Sequence, residues 1–188
     1  SGPDGIPDGK VDSNYDRKIL GSTLPKFYYG LNITAAWKGI DLGVLFQGMG
    51  GHKRKLGSYM ACAFYNDGNI QRWQADNAWT EENPNKWAEY PRIETMSGGS
   101  SNLQLSDYWV RDASFLRLKN VQLGYSLPRN IIKKVGLSRL RIYVSGENLY
   151  TWKKFYKGWD PENYLGEGDQ PHYYPVTRIF SFGLNLNF

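Results

Sequence analysis

At 188 residues and a net charge of +5, the chain has the length of one domain or of part of a larger one. Its basic groups are scattered over His52–Lys55, Lys133–Lys134, Arg139, Arg141 and Lys153–Lys154, so no stripe marks a nucleic-acid surface. One cysteine, Cys62, excludes an internal disulfide, and two histidines, His52 and His172, exclude a Cys/His metal cluster. No stretch approaches the ~20 consecutive apolar residues of a membrane helix, a test that membrane-barrel strands do not have to meet. Aromatics reach 15%, with 7 Trp and 14 Tyr, which fits interfacial girdles, sugar-stacking surfaces or both. The chain opens on Ser1-Gly2-Pro3, which predicts a piece of something longer.

Residues 1–25 are rich in Gly, Pro and Asp and read as a loop. Residues 26–37 then alternate, with Phe27, Tyr29, Leu31, Ile33, Ala35 and Trp37 on one face, as a strand requires. Lys38-Gly39 predicts a two-residue hairpin turn. The return strand, 40–47, puts Ile40, Leu42, Val44 and Phe46 on the apolar face, with Leu45 as an exception. Residues 48–110 are a long polar excursion with a short helix expected near Asn69–Asp76. Connections of this length are uncommon in soluble domains but usual on the outer side of membrane barrels. A third strand is expected at 113–127. Its leucines at 116 and 118 have the opposite parity to Val121, Leu123 and Tyr125, so a bulge is predicted near Lys119-Asn120. Residues 128–138 form a compact connector with a helical turn over Ile131–Val135 that ends at Gly136. A fourth strand occupies 139–152, a second long loop 153–176, and a fifth strand 178–188.

The fifth strand is the most informative. Phe180, Phe182, Leu184, Leu186 and Phe188 share one face, and Ile179, Ser181, Gly183, Asn185 and Asn187 the other. A strand whose outer face meets lipid and whose inner face meets water has this pattern. Connectors alternate short (38–39, 128–138) and long (48–110, 153–176), the signature of a meandering membrane barrel with short periplasmic turns. The last strand then runs inward, with Phe188 at the periplasmic rim and residues 1–25 outside. Five strands are too few to close a barrel, so the expected fold is all-β, the last five or so strands of a larger transmembrane antiparallel barrel.

Residues 113–128, Ala-Ser-Phe-Leu-Arg-Leu-Lys-Asn-Val-Gln-Leu-Gly-Tyr-Ser-Leu-Pro, resemble the "SYLRLKN…LGY.LP" segment of SusC/RagA-type TonB-dependent transporters of Bacteroidetes outer membranes. Tyr90–Arg92, Val144–Tyr150, Gly158–Glu162, Tyr174-Pro175 with Arg178, and the Phe-ending strand resemble the same family. So do Asp8–Asp12 with Ile19–Pro25, as the entry into the last strands. The likeness covers nearly the whole chain in order. It implies a 22-stranded barrel with an N-terminal plug and a TonB box outside this chain. It implies TonB-dependent import of a glycan or peptide across the outer membrane of a Gram-negative bacterium. A SusD-like surface lipoprotein would act as lid, and TonB, the barrel-assembly machinery and membrane lipid would be the other partners. The terminal residues Phe180, Phe182, Leu184, Leu186 and Phe188 resemble the barrel-assembly signal.

Three sets of residues are candidate sites. Asp4, Asp8, Asp12 and Asp16 form an acidic turn with the oxygen ligands calcium prefers, but Ile6 stands where an EF-type loop has a ligand, and a solvated turn is the competing expectation. The loop aromatics Trp73, Trp79, Trp87, Tyr90, Trp109, Tyr156, Trp159 and Tyr164 offer flat faces for a ligand. Packing within the loops, the lipoprotein partner and lipid girdles compete for them, and Trp37 and Trp152, at strand ends, read as girdle. The polar strand residues Asp41, Gln47, Gln122, Arg141, Tyr143, Glu147, Asn185 and Asn187 would face the lumen and the plug. No catalytic constellation is present. Asp160/Glu162 and Asp107/Asp112 are carboxylate pairs without partners for acid–base chemistry, so no enzyme activity and no further cofactor are expected. The rival readings are a secreted carbohydrate-binding β-sandwich and a passive porin. A sandwich hides its apolar faces between sheets and has connections of moderate length.

Overall fold

The structure, a computed structural model, describes residues 2–9, 12, 14–57, 61–95, 102, 104–156, 158–162 and 176–188. Seven strands are present among the described residues. β1 is Phe27–Trp37, β2 Ile40–Gly50, β3 Lys53–Lys55, β4 Val110–Asp112, β5 Phe115–Ser126, β6 Arg139–Lys153 and β7 Ile179–Asn187. β1, β2, β5, β6 and β7 form one antiparallel sheet in that order, and β3 pairs with β4. β2 runs three residues beyond its expected end at 47. The pair β3–β4 was not anticipated, because three residues are too short to show a periodicity. Helix α1 spans Arg72–Asn77, and α2 spans Arg129–Ile132, followed by a 3-10 turn over Lys133–Val135. The 3-10 turn ends at Gly136, which has φ 73°.

The turn between β1 and β2 has φ 46° at Lys38 and 87° at Gly39. Two successive residues at positive φ make the tight turn whose twist matches the strands it joins. It sets the register Trp37↔Ile40, from which every odd residue of β1 meets an even residue of β2. The parity conflict in β5 is settled by a bulge. Leu45 pairs with Asn120 and Phe46 with Leu118, so Lys119 is the extra residue. On the other side, Leu118 pairs with Tyr150 and Asn120 with Glu147. There Asn148 takes φ 53°, a conformation Asn tolerates better than most residues. The bulge returns Leu116 and Leu118 to the face that carries Val121, Leu123 and Tyr125.

One face of the five-stranded sheet is therefore apolar from edge to edge, and no described element covers it. Leu31 is 56% exposed, Val144 50% and Phe182 68%, far above what a soluble core position shows. Aromatic side chains gather at its two ends. Trp37 and Tyr125 lie at one, and Phe27, Tyr29, Tyr150 and Trp152 at the other. From Tyr29 to Trp37 the strand rises about 27 Å, or about 20 Å along a barrel axis at the usual tilt, comparable to the apolar band of outer-membrane barrels. The β-sandwich alternative fails here, since the only other described sheet is the β3–β4 pair, which does not stack on this face.

The opposite face is polar. Asp41 on β2 and Arg141 on β6 are separated by β5, yet the guanidinium reaches across. Arg141 Nε donates to Asp41 Oδ1 at 2.9 Å and Nη2 donates to Oδ2. The crossing runs over Gly124, where a Cβ would overlap the guanidinium. Tyr143 stacks beside it, 5.0 Å from the guanidinium carbon. The fork therefore ties three strands through one glycine. Replacing Gly124 by Val is expected to displace Arg141 and destabilise the intact barrel by about 1–3 kcal/mol, read as a lower temperature for the heat-induced gel shift. Asp41→Asn should keep the wild-type geometry and lose less.

Candidate functional site

The connectors segregate. Residues 38–39 and 127–138 lie at one end of the sheet, and the described residues of 51–114 and 154–178 at the other. The long excursion is not loose. β3 and β4 zip its two ends together, with Lys53 opposite Asp112 and Lys55 opposite Val110. Beyond them Leu56, Ala61, Ala63, Tyr90 and Trp109 form a small core of their own. The Tyr90 hydroxyl donates to the Ala61 carbonyl at 2.7 Å and accepts from the Ala63 amide at 3.0 Å. Trp109 Nε1 donates to the Asn102 carbonyl at 2.8 Å. Edge-to-face contacts join Trp73 to Tyr90, Tyr90 to Trp109, and Tyr108 to Trp109, with centroids 5.5, 5.9 and 4.9 Å apart. Each such pair adds about 0.5–1.5 kcal/mol beyond the area it buries.

This core changes the reading of the loop aromatics. Tyr90 is 1% exposed and Trp109 2%, so neither has a face to offer a ligand, and both hold the loop together. Trp73, Trp79, Tyr156 and Trp159 are half-buried, and Trp87 is 79% exposed. Tyr164 lies outside the described residues. Burial raises the pKa of Tyr90 and Tyr156 and pushes Tyr108 up to about 12, so all three hydroxyls stay protonated donors. Trp37 and Trp152, read as girdle, stand at the rims of the apolar face.

A second segment closes over the polar face. Lys153 Nζ donates to the carbonyl of Tyr156 at 2.9 Å and to that of Trp159, which folds the chain back after β6. Arg117 on β5 then fixes it. Its side chain is 1% exposed. Nε donates to Thr151 Oγ1 at 2.9 Å, Nη1 to Glu162 Oε2 at 2.6 Å, and Nη2 to both oxygens of Asp160 at 2.6 Å. The Glu162 amide in turn donates to Asp160 Oδ1 at 2.9 Å. Asp160 and Glu162 thus neutralise a buried guanidinium. Sequence reasoning noticed the segment Gly158–Glu162 and the motif around Arg117 separately. That one closes on the other could not be read from either.

His52 lies between the two segments, 1% exposed, and neither ring nitrogen has a hydrogen-bond partner of ordinary geometry among the described residues. Burial, and then the charge of Arg54, hold its pKa below the usual histidine value, against weaker opposing contributions from Asp112 and the Pro161 backbone. The acidic turn behaves as a turn. Asp12 Oδ1 accepts from the amides of Asn14 at 2.7 Å and Tyr15 at 3.0 Å, and Asp16 Oδ2 accepts from the amide of Asp12 at 2.9 Å. Among the described residues no group of three or more acidic, His or Cys side chains converges on one metal position.

Two outcomes follow for the intact protein. Arg117→Met leaves two carboxylates in its place without their partner. Breaking such a pair costs about 3–5 kcal/mol, so the amides of 158–162 should exchange markedly faster while the strands keep their protection. Unchanged exchange there would remove Arg117 as the fastener. For His52 the folded pKa is lowered, so an open state binds more protons below the ordinary value of about 6.5. Protection of residues 52–57 and 109–113 should be full above that value and decline as pH falls through the lowered one. His52→Phe should abolish the decline.

Comparison with known proteins agrees with this arrangement. No family model matches the chain. It is 32% identical over 186 residues to TonB-dependent receptor P3 of Formosa agariphila, a match that covers 94% of this chain and 18% of that protein. It is 40% identical over 86 residues to TonB-dependent receptor SusC of Bacteroides thetaiotaomicron, covering 45% of this chain and 8% of the relative. Among solved structures, the RagAB peptide importer in its open-open state matches over 100% of this chain and 20% of that one, with a TM-score of 0.70 and 27% identity. The closed-closed state gives 0.68 and 28% over 95% of this chain. The chain thus spans about a fifth of the length of the relatives it matches. With a sheet apolar on one side, polar on the other and capped at one end by long packed loops, the chain belongs to the TonB-dependent receptors of the SusC/RagA type, as a portion of their transmembrane β-barrel.

Proposed function

We propose that the protein of which this chain is a part imports an oligomeric nutrient, a glycan fragment or a peptide, across the outer membrane by TonB-dependent active transport. The observation that carries the reading is the two-faced sheet. A continuous apolar face with aromatic rims suits lipid, and the polar face with its Asp41–Arg141 fork suits a hydrated lumen and a plug. The RagAB structures matched over the whole chain are those of a peptide importer, and P3 and SusC are named as TonB-dependent receptors. In this reading the end bearing residues 38–39 and 127–138 faces the periplasm, and the packed loops face outward. There Trp79, Trp87 and Trp159 offer aromatic surface to a substrate or to a SusD-like lipoprotein lid. Phe180, Phe182, Leu184, Leu186 and Phe188 serve barrel assembly rather than binding. No enzymatic step is part of the mechanism.

The test is made in cells. A strain lacking the gene is complemented with the intact protein and offered glycan and peptide nutrients. Uptake of at least one nutrient should require the protein, and it should stop when TonB is depleted or when the proton gradient is dissipated. Uptake that continues without TonB would point to a passive pore instead. A cysteine placed at Trp87 should react with an impermeant maleimide on whole cells, and one placed at Lys38 should not; the reverse would invert the orientation.

A further inference from the structure

Between the two outward segments lies a cavity of about 260 Å³ lined by Trp73, Asn77, Glu89, Arg111, Lys154 and Tyr156. Its volume fits one sugar ring or one residue rather than a whole oligomer. Arg111, on β4, is held in place before any ligand arrives. Its Nε donates to the Tyr108 carbonyl at 3.1 Å and to the Tyr156 hydroxyl at 3.3 Å. Its guanidinium carbon sits 5.5 Å from the Tyr108 ring and 5.3 Å from the Tyr156 ring. These contacts use the inner edge of the fork. Among the described residues no carboxylate makes an ion pair with Arg111 or Lys154, in contrast to Arg117 and Arg141. Both cations line the cavity without a carboxylate at ion-pair distance, although the Asp112 carboxylate lies near enough to Lys154 to feel its charge, and a guanidinium and an ammonium lining one cavity suit a carboxylate.

The rest of the lining says what carries the carboxylate. Asn77 donates through Nδ2 to the Trp73 carbonyl at 2.7 Å, which leaves its Oδ1 as an acceptor. Glu89 adds a second acceptor. Trp73 and Tyr156, whose centroids are 6.4 Å apart at 49°, supply aromatic surface. Acceptors suit hydroxyls, and aromatic faces suit the C–H side of a pyranose ring. Hydroxyls, an apolar ring face and one carboxylate occur together on a uronic acid. We infer that this cavity is a subsite for an acidic sugar residue of an oligosaccharide, its carboxylate on Arg111 and Lys154 and its ring against Trp73 and Tyr156.

This inference rests on the importer reading and narrows its substrate. It is tested by calorimetry on the intact transporter in detergent, with trimers of galacturonate, mannuronate and glucuronate as probes. Each trimer is compared with its carboxyl-reduced neutral form, and triglutamate serves as an acidic peptide. At least one uronate trimer should bind, and its neutral form should bind about tenfold or more weakly, the size expected when a charge-assisted hydrogen bond is lost. Lys154→Gln, on an exposed side chain, should weaken the acidic trimer by a similar factor and leave the neutral one unchanged. Arg111→Gln should act in the same direction, with Arg111→Lys restoring part of the affinity. Equal binding of acidic and neutral trimers, tighter binding of triglutamate than of every uronate, no binding of any trimer, or an indifferent Lys154→Gln would each overturn the assignment. TonB-dependent uptake is scored separately. If uptake persists while the uronate result fails, only the subsite is wrong. If energised uptake itself fails, the importer reading falls with it.

Discussion

The arrangement depends on what is done with one buried cation. Arg117 projects from the polar face of β5 and is shielded from water. A guanidinium in that position must be paired, because an unpaired buried charge costs several kcal/mol. Asp160 and Glu162 supply the pairing, and they lie on a segment that has already left the sheet after β6. The charge requirement of a wall residue therefore fixes the position of a loop. Lys153, bonding two carbonyls of the same segment, makes the turn that brings the carboxylates there. Tyr156 and Trp159 then pack beside the aromatic core of the other long excursion, so the wall and both long segments form one connected body.

A second constraint acts within the sheet. Side chains of a strand alternate, so one inserted residue moves everything beyond it to the other face. β5 carries leucines of both parities and needs such an insertion to keep one face apolar. The bulge at Lys119 provides it, and β6 compensates with Asn148 in a left-handed conformation. Without the bulge, Leu116 and Leu118 would turn to the polar side and Arg117 would face lipid. The fastener of the loops thus depends on an irregularity near the middle of the sheet.

The two faces answer to different solvents. Among the described residues nothing covers the apolar face, which ends in aromatic rims, and the polar face carries an ion pair that crosses over a glycine. Tyr90 and Trp109 show that aromatic enrichment has more than one cause here. Some rings stand at the rims, some build a core within the loops, and Trp87 stays exposed.

Much of this was legible in the sequence because it is local. Alternation located the five main strands to within a few residues, Lys38-Gly39 specified its turn, and the leucine parity of 116–118 against 121–125 required a bulge. The order of short and long connectors gave the sheet its two unlike ends. What stayed hidden depends on contacts between residues far apart in the chain, which no periodicity encodes. The pairing of β3 with β4, the burial of Tyr90 and Trp109, the partners of Arg117, and the placing of Arg111 and Lys154 on one cavity each need the chain to be folded first. The sequence by itself determined a sheet with one face for lipid and one for water, since a period of two is a property of each strand alone. Only the tertiary structure decided which charges pair with each other, because pairing is settled by distance in space.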